Sequence, residues 1–154
     1  MINSALPNAA SDSASSHTVF PRLEVETFPG HGIRRLQQVA VAVFSQATEA
    51  WGVTPLQFAV LQKLVHLPGI DQRTLSMEVG FDKSTIGGVI DRLEARGLLL
   101  RQHTAKDRRV RLLSLTPEGQ ALLADAGPSV LQAQQQMLDP LSAVSYTHLT
   151  LPTK

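Results

Sequence analysis

The chain has 154 residues, 43% of them apolar and 5% aromatic, and a formal net charge of +1, which allows one domain with a modest core. It has no cysteine, which excludes disulfides, thiolate metal sites and thiol redox sensing. No apolar run approaches the ~20 residues of a membrane span, and no basic segment leads into an apolar one at the start, so no secretory signal is expected and the protein reads as cytoplasmic.

The net charge says nothing about partners, but its distribution does. Between Lys83 and Arg111 there are eight Lys or Arg against three Asp or Glu, whereas Leu112 to Thr153 holds three acids and no base. A basic cluster on one element is the footprint expected of a phosphate-binding surface. The competing reading is a hairpin charged for solubility alone.

In chain order, residues 1–28 are rich in Ser, Ala, Asn and Pro. The first eighteen cannot bury enough apolar surface to offset chain entropy and are expected to be disordered; Val19 to Phe28 can dock extended. Pro29-Gly30 is expected to break the chain. His31 to Trp51 is helical by pattern, with Ile33, Leu36, Ala40, Phe44, Ala47 and Trp51 at spacings of three and four. Val39, Val41 and Val43 broaden the apolar surface beyond what one domain covers. Residues 29–52 are therefore read as a dimerisation helix closed by Gly52, against a central core helix as the competing reading.

Thr54-Pro55 opens the next helix, with Thr as N-cap and Pro in the first position. Leu56, Phe58, Ala59, Val60, Leu61, Leu64, Val65 and Leu67 make it a core helix, and Pro68-Gly69 stops it. Ile70 can form a short strand. Asp71 can cap a short helix from Gln72 to Val79, with Leu75 and Val79 inward. After the Gly80-Phe81 turn, Asp82 can cap a helix from Lys83 to Arg96, with Ile86, Val89, Ile90 and Leu93 as its buried stripe. Its opposite face, Ser84, Gly88, Asp91 and Ala95 flanked by Thr85, Gly87 and Arg92, is small and polar. A helix entering a major groove leads with its N-terminal turn, here Lys83, Ser84 and Thr85. Gly87-Gly88 either lets the helix axis approach base edges or makes room for a neighbouring segment.

Gly97 stops that helix. Leu98 to Thr104 and Val110 to Leu115 read as two strands around a turn bearing Lys106, Arg108 and Arg109, with Arg111 behind. Such a tip suits backbone or minor-groove contact, and Asp107 is expected to shape the turn. Two short helices with a tight glycine turn, then a basic hairpin, form a winged helix-turn-helix pattern over 53–116. Thr116-Pro117 starts a last helix, with Leu122, Leu123, Val130, Leu131, Met137 and Leu138 apolar and a bend expected at Gly127-Pro128. Residues 144–154 read as a non-native tail, since VSYTHLTLPT matches one translation frame of a transposon-type sequencing adapter. The helix over 117–143 is then expected to be truncated.

From about His31 to Leu141 the chain resembles the MarR (multiple antibiotic resistance regulator) family. The most specific part is STIGGVIDRLEARGLLLR followed by KDRRVRLLSLTPEG. The resemblance implies a mainly α fold with a small β-hairpin (α+β), a winged helix-turn-helix between dimerisation helices, and a homodimer on a palindromic duplex DNA operator. It also implies release by a small phenolic or carboxylate effector. By position it places Lys83, Ser84, Thr85, Gly87, Gly88 and Arg92 on the DNA-reading surface and Lys106, Arg108, Arg109 and Arg111 on the wing. Asp91 and Asp107 support that wing. The Gly-Gly pair departs from the larger polar residues common there.

Other chemistry is not indicated. His17, His31, His66, His103 and His148 lack metal-ligand spacing, Ser and His form no nucleophile elbow, and no glycine-rich phosphate loop follows a strand. No enzyme activity, metal or cofactor is expected. Arg34, Trp51 and His66 can face a ligand cleft, with rim or core positions as the competing reading. A winged helix that binds an acidic protein instead of DNA is the alternative function.

Overall fold

The computed structural model describes residues 24–103, 111–142 and 144–145. Helix α1 (Pro29–Ala47) leads through a 3-10 turn (Glu49–Trp51) into α2 (Pro55–His66). The short strand β1 (Ile70–Asp71), α3 (Gln72–Val79), α4 (Lys83–Ala95), strands β2 (Leu99–His103) and β3 (Arg111–Leu115), and α5 (Pro117–Leu138) follow. The expected N-terminal disorder lies outside the described residues, as does the wing tip.

The local chemistry explains most boundaries. Thr54 caps α2 with its side chain accepting from the Gln57 N–H, while Gln57 Oε1 accepts from the Thr54 N–H. This reciprocal box satisfies two donors that a bare helix start leaves open. Asp71 Oδ1 accepts from the Arg73 and Thr74 N–H groups at α3. Thr116 Oγ1 accepts from Gly119 N–H at α5. Gly80 closes α3 at φ +71°, a conformation that costs a residue with a Cβ.

Three sequence expectations are corrected. Pro29-Gly30 does not break the chain; it begins α1, because a proline at the first position gives up only an N–H that is unpaired there anyway. The first helix does not run to Trp51: at Thr48 the backbone leaves the helix, and the buried hydroxyl donates to Phe44 O (2.8 Å) and Val53 O (3.2 Å), fixing the corner into α2. Pro128, where a bend is expected, lies inside α5, which continues for ten more residues to Leu138. Val65 is exposed, on the solvent side of α2.

The core joins Val60, Leu61 and Leu64 of α2 to Leu75 of α3 and to Ile86, Val89, Ile90 and Leu93 of α4, with Leu99 and Leu113 from the sheet and Leu122 and Leu123 of α5. Each such residue fully buried contributes on the order of 2 kcal/mol. The sheet order is β1-β3-β2, all antiparallel. Register runs from Leu99 opposite Leu115 to His103 opposite Arg111, and β1 pairs Ile70 with Leu113. The hairpin is thus anchored on its inner edge by the segment that starts α3.

Helix α1 stands apart from this core. Only Phe44 is buried on it, edge-on to Phe58 at 5.8 Å between ring centroids. Its second half packs against α5. Ile33, Leu36 and Val39 stand open on α1, at 68%, 64% and 54% exposure, and Leu131 on α5 is 67% exposed.

Candidate nucleic-acid interface

Helix α4 is positioned by its buried stripe. Ile86, Val89, Ile90 and Leu93 are all buried, so the opposite side faces out. Its start is held by Asp82, whose carboxylate accepts from the Thr85 N–H (2.8 Å), the Ser84 hydroxyl (2.5 Å) and the Thr85 hydroxyl (2.5 Å). Hydrogen bonds from Ser84, then Thr85, hold the Asp82 carboxyl far below the ordinary carboxylate range. Lys83, Ser84 and Thr85 are exposed, as are Asp91 and Arg92.

The two glycines differ. A Cβ on Gly87 would lie 3.0 Å from Gln72 Nε2, and that amide donates to Lys83 O at 3.0 Å. Gly87 therefore admits the α3 side chain that braces the start of α4. Gly88 is half-buried, and a Cβ there meets only Arg92 Nη1 at 3.8 Å.

The wing is tied to α4 through Arg101 of β2. Its guanidinium donates to Asp91 and, at 2.5 Å, to Glu94 Oε2. The Arg101 side chain is 16% exposed, so this base serves the internal frame. Asp91 is thereby joined to the wing strand. Arg111 is exposed at the outer start of β3. Lys106, Asp107, Arg108 and Arg109 lie outside the described residues.

A second base is also used internally. Arg96, just past the end of α4, donates through Nη1 to Gly52 O and through Nη2 to Trp51 O, both at 2.7 Å. Neither Arg96 nor Arg101 stands out in a charge count, because their partners lie 44–45 and 7–10 residues away.

The three residues expected at a ligand cleft are separated. His66 lines a cavity of about 610 Å³ between α1, α2 and α3, walled by Val41, Leu56, Ala59, Val79 and Phe81, with the Lys63–Glu78 ion pair (3.0 Å) also on its lining. Arg34 lies on an adjoining depression along α1 with Gln37 and Val41, and contacts His31 Nδ1 at 3.2 Å. Trp51 is half-buried against the core and does not line that cavity. Among the described residues no His, Asp and Glu group is arranged to hold a metal, and no helix is long and apolar enough to cross a membrane.

Comparison with known proteins decides the family. The MarR family model matches residues 53–110. The transcriptional regulator HosA of Escherichia coli O157:H7 is 36% identical over 106 residues, 66% of this chain and 78% of that one. The chain belongs to the MarR family. The fold agrees with two solved MarR-type regulators. The PcaV transcriptional regulator of Streptomyces coelicolor, solved with its natural ligand, superposes with a TM-score of 0.78 at 38% identity, covering 84% of this chain and 92% of that one. BpsR of Bordetella bronchiseptica, whose DNA binding is regulated by 6-hydroxynicotinic acid, gives 0.76 at 33% identity, covering 84% and 92%. The chain is thus a winged-helix regulator of transcription and not an enzyme.

Proposed function

We propose that two copies of this MarR-family chain bind a palindromic DNA duplex and release it on binding a small aromatic acid. The observation that carries the reading is the α4 surface. It is capped and braced from behind, small and polar in front, with the wing strands beside it. Lys83, Ser84, Thr85, Gly88 and Arg92 then face the major groove, Gly87 lets Gln72 hold the helix start, and Arg111 leads to a wing tip whose Lys106, Arg108 and Arg109 reach the flanking backbone, with Asp91 and Asp107 in support. Ser84 and Thr85 give their hydroxyl hydrogens to Asp82, so they offer the groove acceptor lone pairs and the threonine methyl. Those suit the exocyclic amino groups of adenine or cytosine and the thymine methyl.

The open apolar rows on α1 and α5 support dimerisation, since a stripe that its own domain leaves uncovered is buried by a second copy. The cavity, apolar over most of its lining with His66 on one side and Lys63 paired to Glu78, supports an effector with an aromatic ring. An aromatic acid is also the kind of ligand named for BpsR.

Binding to a palindromic duplex should weaken linearly in log affinity with log salt. Arg109→Ala should weaken all duplexes about equally, and Ser84→Ala should change the preferred base. Absence of duplex binding at low salt would refute the proposal.

A further inference from the structure

Helix α4 has to be held at a fixed angle to α1, because a dimer built on α1 presents its two α4 helices only as well as that angle is kept. Helix α4 packs chiefly on α3, β2 and α2. Arg96 reaches across to the other side. It follows the last residue of α4, its amide N–H returns to Arg92 O, and its guanidinium grips two successive carbonyls, Trp51 O and Gly52 O, at 2.7 Å each. Those carbonyls end the 3-10 turn that follows α1, and there Gly52 at φ +56° swings the chain into α2. The same corner is locked from inside by the Thr48 hydroxyl on Phe44 O and Val53 O. The planar fork of an arginine fits two adjacent carbonyls in a way a point charge does not.

We propose that Arg96 is a positioning residue that fixes the angle of the reading helix on the dimerisation helix, and that it does not serve as a phosphate contact despite lying in the basic stretch. The inference rests on the DNA-binding reading above. A phosphate contact strengthens every duplex. A residue that sets helix spacing strengthens only the duplex whose half-sites match that spacing.

The experiment uses the full chain, a duplex that the wild-type protein selects from a random pool, and a random duplex of equal length. Arg96→Gln should lose roughly tenfold in affinity for the selected duplex, the scale of two hydrogen bonds. Its affinity for random duplex should stay within about twofold, with the salt slope unchanged. Arg96→Lys keeps the charge and guards against misfolding in the first variant; it should lose part of the same ratio without recovering it through charge. Arg111→Ala serves as the comparator that flattens the salt slope, by about 0.9 for each phosphate that is no longer neutralised. Equal weakening on both duplexes with a flatter slope in Arg96→Gln would make it a phosphate contact and overturn the inference. So would an unchanged ratio in both variants. Failure of the wild-type protein to select any duplex refutes the DNA-binding reading instead.

Discussion

At the scale of the residue, glycine decides how close elements come. Gly119 opens α5 where the chain leaves the sheet, and a Cβ there would sit 2.0 Å from Leu98 O and 3.1 Å from its carbonyl carbon. Backbone cannot swing aside as a side chain does. Gly119→Ala should therefore destabilise the fold by about 2 kcal/mol or more, the scale of an overpacked core, read as a shift in the urea midpoint. Gly88 is the opposite case, since a Cβ there makes only ordinary contact with Arg92. Gly88→Ala should stabilise the helix by about 1 kcal/mol from propensity alone and still weaken operator binding several-fold if the helix axis has to approach base edges. Stability and affinity moving together would show that Gly88 has no reading role. These two glycines look alike in sequence, because the backbone atom that distinguishes Gly119 belongs to Leu98, 21 residues earlier in the chain. Arg96 is illegible for the same reason, its carbonyl partners lying 44–45 residues away.

At the scale of the element, the boundaries were largely written in the sequence. Thr54, Asp71, Asp82 and Thr116 each precede a helix and each caps it. The α4 stripe at positions 86, 89, 90 and 93 is buried as the 3-4 spacing required. Strand β2 starts at Leu99, one residue after the expected Leu98, and β3 ends at Leu115 as expected, while the expected strand ends at Thr104 and Val110 lie outside the described residues. What the pattern did not reveal was competition between local and tertiary preferences. Pro29 reads as a break, yet it occupies a first position that needs no N–H, and Pro128, where a bend is expected, sits inside an α5 whose turns on both sides are buried through Ala126, Val130 and Ala133. The caps also give a pH test. Hydrogen bonds from the N–H and hydroxyl of Thr74 lower the Asp71 carboxyl, and those from Ser84 and Thr85 lower Asp82, both from an ordinary value of 3.8. A lowered folded value means stability that is present above about 3.8 and lost as the pH falls through the folded value. The difference in Tm between wild type and Asp82→Asn should thus be constant from pH 5 to 8 and shrink only below about pH 4. A change within pH 5–8 would mean that Asp82 does not hold its helix in this way.

At the scale of the whole molecule, the chain divides its tasks between a closed core and an open helix. The winged helix-turn-helix is braced internally by its own bases, while Ile33, Leu36 and Val39 on α1 remain uncovered. The excess apolar width of α1 was legible in sequence as more surface than one domain covers; which of its apolar residues stay open was not, because that depends on where α5 lies. Leu36→Glu puts a charge into that row and should shift the protein toward monomer in sedimentation, with Tm of the monomeric core little changed. The central claim is that two α4 helices read one palindrome. It is tested most directly by measuring protomers bound per duplex, and the spacing of protected half-sites, on DNA that the protein itself selects from a random pool. Two protomers should bind two inverted half-sites about one helical turn apart, ~10 base pairs between centres. A single protomer saturating a single half-site would contradict it.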